Sequence, residues 1–89
     1  MKIRILTEHK QIFAGEAREV VMPGEDGELA VWNFHEPCIS RLRSGQIKVR
    51  LGDAGAQEAP QVFPIRGGIA RIGPLEIVVL VESLQVKVA

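Results

Sequence analysis

The six residues QIKVRL, 46–51, alternate polar and apolar side chains without a break. That period of two turns Ile47, Val49 and Leu51 to one side of an extended chain and Gln46, Lys48 and Arg50 to the other, the pattern of a half-buried strand. Outward from this stretch the same rhythm returns in Lys2-Ile3-Arg4-Ile5 and in Leu84-Gln85-Val86-Lys87-Val88. Val20-Val21-Met22 and Ile77-Val78-Val79-Leu80-Val81 are continuous apolar runs. Such runs suit strands covered on both faces, or strands that cross between sheets. No long segment carries a helical stripe, and the best helix candidate, Pro37 to Arg43, is too short to stand. Turn signals separate the runs at short intervals: Glu8-His9-Lys10, Pro23-Gly24-Glu25-Asp26-Gly27, Ser44-Gly45, Gly67-Gly68 and Gly73-Pro74. The polar stretch from Gly52 to Pro60 reads as a hairpin tip. Roughly eight to ten short strands between turns predict an all-β sandwich or barrel with no substantial helix.

The chain has 89 residues, enough for one core, so residues 1–89 are read as a single domain. Hydrophobic residues make up 46% and charged residues 25%, which places it among globular chains. Tyr is absent and aromatics are few, so the core must be aliphatic. Eleven basic and eleven acidic side chains cancel. That balance argues against a partner made of nucleic acid or anionic lipid, either of which rewards a basic excess. A single cysteine, Cys38, makes no internal disulfide, which fits a reducing compartment. The charged start MKIRILTEHK has no signal-peptide core, and the five apolar residues 77–81 are far too few to span a bilayer. In so small a domain, apolar surface left over after the sheets pack would be informative.

The candidate chemistry is thin. His35-Glu36-Pro37-Cys38 offers H-x-x-C spacing, but a structural zinc site needs four ligands and the only other histidine is His9. Cys38 with His35 is a weak nucleophile–base pair, because such partners usually converge from distant segments. Glu25, Asp26 and Glu28 cluster in a glycine-rich turn, where acids are ordinarily solvated. Gly67-Gly68 is not followed by the Gly-Lys-Ser/Thr of a phosphate loop. One Trp and three Phe are too few for a stacking groove. No catalytic, metal or nucleotide site and no cofactor is therefore expected. Trp32, beside polar Asn33, fits an interface anchor or a core residue equally well.

A series of short motifs carries more. In order, these are an N-terminal strand ending in Thr7; Phe13-Ala14-Gly15; Val20-Val21-Met22-Pro23-Gly24; Gly27-Glu28-Leu29; His35 with Pro37; Leu42 to Gly45; Gly67-Gly68-Ile69; and the apolar strand Ile77 to Val81. Over about Lys2 to Ser83 this series resembles the N-terminal β-sandwich of the epsilon subunit of F-type ATP synthases, called delta in mitochondria. The resemblance implies a flattened β-sandwich of two roughly five-stranded sheets. It implies a non-catalytic subunit of the rotor's central stalk, bound to the gamma subunit and resting on the ring of c subunits. Such a subunit couples ion-driven rotation to ATP synthesis or hydrolysis. It also implies a peripheral place on the cytoplasmic face of the bacterial inner membrane, without membrane insertion, and a monomer when isolated. By the same resemblance Gly27, Glu28 and Leu29 face the c ring, and Thr7, Trp32, His35, Ser40 and Arg66 face gamma.

The chain departs from the family in two places. Where the family usually has Pro-Gly before the histidine, this chain has Asn33-Phe34, and phenylalanine does not adopt glycine's positive-φ conformations cheaply. Trp32 and Phe34 then mark a non-standard partner surface. The C-terminal helical hairpin of the family is also missing from these 89 residues, so inhibition of ATP hydrolysis through that hairpin is not expected. Two other readings stand beside the stalk subunit: an unrelated sandwich module with a ligand near Trp32 to His35, and an enzyme using His35 and Cys38.

Overall fold

The computed structural model describes residues 1–33, 35–52 and 59–82. Among the described residues eight strands follow one another: β1 (Lys2–Leu6), β2 (Gln11–Gly24), β3 (Gly27–Val31), β4 (Cys38–Leu42), β5 (Gly45–Leu51), β6 (Gln61–Ile65), β7 (Gly68–Ile72) and β8 (Glu76–Val81). The architecture turns on β2, the longest strand at 14 residues. Its first half pairs with β1, from Lys2↔Glu16 to Leu6↔Gln11. Between Ala17 and Glu19 the register shifts, an irregularity of the kind that bends a strand and raises its twist. Beyond it, β2 pairs with β5 and, on its other edge, with β3 through Val20↔Val31 to Gly24↔Gly27. The strand thus passes from one layer into the other. The first layer runs β2–β1–β8–β7–β4, with β1 and β8 parallel and its other pairs antiparallel. The second runs β6–β5–β2–β3.

Alternation along each strand builds the core. Ile3, Ile5, Leu42, Ala70, Ile72, Ile77, Val79 and Val81 come from the first layer, and Val20, Met22, Val31, Ile47, Val49 and Ile65 from the second. All are buried, and no polar or charged residue among the described residues is buried with them. Phe13 and Phe63 pack with ring centroids 5.1 Å apart, a tilted pair within the favourable aromatic range.

The all-β expectation holds. The discarded helix candidate Pro37 to Arg43 contains a strand instead: Cys38–Leu42 is β4, paired in register with β7 from Cys38↔Ile72 to Leu42↔Gly68. A seven-residue helix is marginal on its own, and a full ladder on β7 outweighs it. Among the described residues the two layers hold five and four strands, with β2 counted in both, in keeping with two roughly five-stranded sheets. The expected strand at Leu84 to Val88 and most of the hairpin tip after Gly52 lie outside the described residues.

Candidate functional site

The β2–β3 turn is a two-residue hairpin, with Gly24 paired to Gly27 across Glu25-Asp26. Gly27 has φ 137°, which only glycine tolerates easily. Glu25, Asp26 and Glu28 are exposed, whereas Leu29 packs against the core. Among the described residues the Glu28 carboxylate makes no hydrogen bond or ion pair. The turn is fastened to β4 by Glu25 N donating to Arg41 O at 2.9 Å and Arg43 N donating to Pro23 O at 2.9 Å. Ser40 lies beside it, in a groove lined by Gly24 to Leu29 and Ile39 to Arg41. Arg66 belongs to the same end: its carbonyl accepts from Ser44 Oγ at 2.9 Å. Thr7 closes the β1–β2 turn, its hydroxyl accepting from Lys10 N at 3.2 Å and His9 N at 3.3 Å. Its neighbour Glu8 shares an open concavity of about 500 Å³ with Glu25, Arg41, Ile69, Leu80 and Glu82. One end of the sandwich therefore gathers Gly27, Glu28, Leu29, Thr7, Ser40 and Arg66.

Trp32 and His35 do not join them. Trp32 follows β3 at the far end from the hairpin tip, about 17 Å away at the usual rise per residue. It stands on the outer face of the second layer, 60% exposed. Its Nε1 donates to Glu19 Oε2 at 2.7 Å, and Glu19 Oε1 lies 3.3 Å from Arg50 Nε. Asn33, next in the chain, lines a surface hollow with Met1, Leu75 and Glu76. His35 Nδ1 sits 2.7 Å from the carbonyl of Glu36 and donates to it. Phe34 lies outside the described residues.

The sequence reading missed the outer face of the first layer. Its outward positions form two cross-strand rows. Ile39, Arg71, Val78 and Arg4 stand in one; Arg41, Ile69, Leu80 and Leu6 stand in the other. Ile39 is 72% exposed, Leu80 51% and Ile69 47%. The apolar run at residues 77–81 had the composition of a strand covered on both faces; the described chain covers one. That leftover surface was the legible signal.

His35 and Cys38, the pair the sequence offered, are not brought together. Cys38 is exposed on β4 and no hydrogen bond joins it to His35. Among the described residues no three His, Cys, Asp or Glu side chains cluster to hold a metal ion. No helix of the described residues is long and apolar enough to cross a membrane.

Comparison with known proteins follows this geometry. Residues 1–86 match the family model of the ATP synthase delta/epsilon chain β-sandwich domain. An ATP synthase epsilon chain of Herminiimonas arsenicoxydans is 36% identical over 83 residues, 93% of this chain and 57% of that protein. One of Bordetella petrii is 36% identical over 83 residues, covering 93% and 56%. The chain thus spans a little over half the length of the curated relatives it matches. Among solved structures, a chain in the Euglena gracilis mitochondrial ATP synthase (OSCP, F1 and c-ring) superposes with a TM-score of 0.80 at 16% identity, covering 93% of this chain and 51% of that one. A chain in the Tetrahymena thermophila mitochondrial ATP synthase central stalk and c-ring gives a TM-score of 0.75 at 16% identity, covering 96% and 65%. At that identity the structural likeness speaks to fold. The family match settles membership: the chain belongs to the ATP synthase delta/epsilon β-sandwich family.

Proposed function

We propose that this member of the family is a non-catalytic subunit of the central stalk of an F-type ATP synthase. It joins the gamma subunit to the c ring, so that ion-driven rotation of the ring reaches the catalytic head. The observation that carries this reading is the family match over residues 1–86. Its place is peripheral, on the cytoplasmic face of a bacterial inner membrane.

The geometry supports a division of labour. The hairpin tip with Gly27, Glu28 and Leu29 is a rigid, exposed, acidic projection, and we assign it to the polar loops of the c ring. The outer face of the first layer, with Thr7 and Arg66 at its rim, is assigned to gamma; Ser40, opposite buried Ala70 on β4, points away from that face and is reached in the groove beside the hairpin tip. Both surfaces adjoin β4, and the backbone hydrogen bonds from Glu25 N to Arg41 O and from Arg43 N, just past β4, to Pro23 O give a short, stiff link between them. Trp32, about 17 Å along β3 from the hairpin tip, and His35, three residues before the Cys38 end of β4 and so away from the Leu42 end that meets Gly24, are read as a separate part of the surface.

Co-expression with the gamma subunit encoded in the same genome, followed by native mass spectrometry, tests the reading. A one-to-one complex is expected. Two folded proteins that fail to associate at micromolar concentration would remove it and leave a fold without this function.

A further inference from the structure

We infer that the outer face of the first layer recognises a partner surface whose aliphatic side chains are flanked by carboxylates, with Arg4, Arg41 and Arg71 reading those acids. This inference rests on the stalk reading above and adds the chemistry of the contact.

Net charge is zero over the whole chain, but it is not spread evenly. On the outward positions of β4, β7, β8 and β1, the middle of the face carries Arg41, Arg71 and Arg4 and no acid. None of the three arginines forms an ion pair among the described residues; Arg4 Nε reaches only the amide oxygen of Gln11, at 3.4 Å. Nothing among the described residues compensates these three guanidinium groups on one face. Strands lie about 4.8 Å apart and residues two apart along a strand about 7 Å apart. Arg71 is therefore about 8 Å from Arg41 and about 10 Å from Arg4 at the backbone. Ile39, Ile69, Val78, Leu80 and Leu6 fill the positions between them.

A contact on this checkerboard buries the aliphatic side chains and at the same time desolvates the arginines. Guanidinium groups taken from water need carboxylates within reach, and Arg–carboxylate pairs are often bidentate and strongly directional. A partner that offered only apolar surface would leave these charges buried and unpaired. The partner face must therefore carry acids around an aliphatic centre.

An anionic membrane surface would also supply negative charge, but it fits worse. The face has no aromatic side chain to enter an interface, and membrane-lying segments rely on such residues together with a broad basic excess. Acids also outnumber bases where the face ends, Glu8, Glu25 and Glu82 against Arg43 at one end and Glu16 and Glu76 against Lys2 at the other. A flat anionic plane meets that rim; a shaped protein surface avoids it.

The test measures affinity of the full chain for its gamma partner at low and high salt. Arg71→Glu, Arg41→Glu and Lys48→Glu each change the net charge equally. Lys48 lies on β5, on the outer face of the other layer. The expected result is a loss of roughly tenfold or more for either arginine reversal, shrinking at high salt, with Lys48→Glu within about twofold of the unmodified chain. Circular dichroism checks that each variant folds, and Arg71→Gln provides a milder change at the same position. Equal losses for all three reversals, or none for Arg71→Glu, overturn the inference while leaving the stalk reading intact. Binding of the chain to vesicles containing phosphatidylserine, abolished by Arg71→Glu, assigns the face to lipid and also overturns it. If the unmodified chain fails to bind gamma, the stalk reading fails first and this inference falls with it.

Discussion

The indole N–H of Trp32 donates to Oε2 of Glu19 at 2.7 Å, while Oε1 of the same carboxylate meets Arg50 Nε at 3.3 Å. The register accounts for this row: Val31 lies opposite Val20, so the residue after β3 comes alongside Glu19, and Glu19 faces Arg50 on β5. The ring is thus held on the surface with its only polar group already satisfied. Trp32→Phe keeps most of the ring and removes the donor. We expect it to lower the urea-unfolding free energy of the free domain by about 1 kcal/mol, the scale of a partly exposed charge-assisted hydrogen bond. A double-mutant cycle with Glu19→Gln should give a non-zero coupling. Strictly additive losses would mean that the indole and the carboxylate do not interact in solution.

Two residues of β8 separate fold from binding. Ile77 is fully buried, and three positions on Leu80 is 51% exposed. Ile77→Ala removes core volume and should cost about 2–5 kcal/mol, close to the whole stability of a domain this small, which is on the order of 5 kcal/mol. Leu80→Ala should cost less than about 1 kcal/mol in the free domain and yet weaken gamma binding measurably. Urea titration and a binding isotherm on the same preparations decide the matter. A Leu80→Ala variant that unfolds like Ile77→Ala would make Leu80 part of the core.

These contrasts mark how far the sequence could be read. Strict alternation at 46–51 and 2–5 identified β5 and β1 and the inward set Ile47, Val49, Ile3 and Ile5, because a period of two has one physical meaning. The Asn33-Phe34 departure drew attention to Trp32 but not to Glu19 or Arg50, since cross-strand neighbours 13 and 18 positions away depend on register. The arginine face was hidden for the same reason. Arg4, Arg41 and Arg71 look like ordinary solvated positions until three ladders align them. Composition had reported only that the charges cancel, which is true of the chain and untrue of its faces. Pro37 to Arg43 offered no clear strand alternation, because β4 is defined by its partner β7 more than by its own residues.

The double glycine 67–68 divides two tasks. Gly67 has φ 144°, whereas at Gly68 an added Cβ would run into the backbone carbonyl of Leu80 and come 3.0 Å from Val81 Cα. Backbone of a paired strand cannot step aside as a flexible side chain can. Gly68→Ala should therefore part β7 from β8 and cost about 3 kcal/mol or more, the upper range for an overpacked site. Thermal melts should show it far below the unmodified domain. Hydrogen exchange should show loss of protection first at Ile69 to Ile72 and Ile77 to Val81. A midpoint unchanged within a degree would contradict the close approach of these strands.

Glu28 offers the cleanest separation of structure from assembly. Its position on the hairpin is fixed by the ladder Pro23↔Glu28, but its carboxylate is exposed and has no hydrogen-bond or ion-pair partner among the described residues. No described residue uses the charge, so Glu28→Gln should leave the unfolding free energy within about 0.5 kcal/mol. If the hairpin meets the c ring as proposed, the carboxylate accepts charge-assisted hydrogen bonds that an amide replaces poorly. The partner donors would then be left under-satisfied in a partly buried contact, a penalty of about 1–3 kcal/mol. The expected outcome is unchanged one-to-one binding to gamma, with a loss of roughly tenfold or more in retention of that pair on purified c rings. Glu28→Ala should behave alike, because the missing charge, not the shape of the side chain, carries the effect. Retention of both variants at the level of the unmodified chain would move the ring contact away from this turn. Loss of gamma binding by Glu28→Gln would instead place the hairpin tip inside the gamma interface, on the other side of the β4 link.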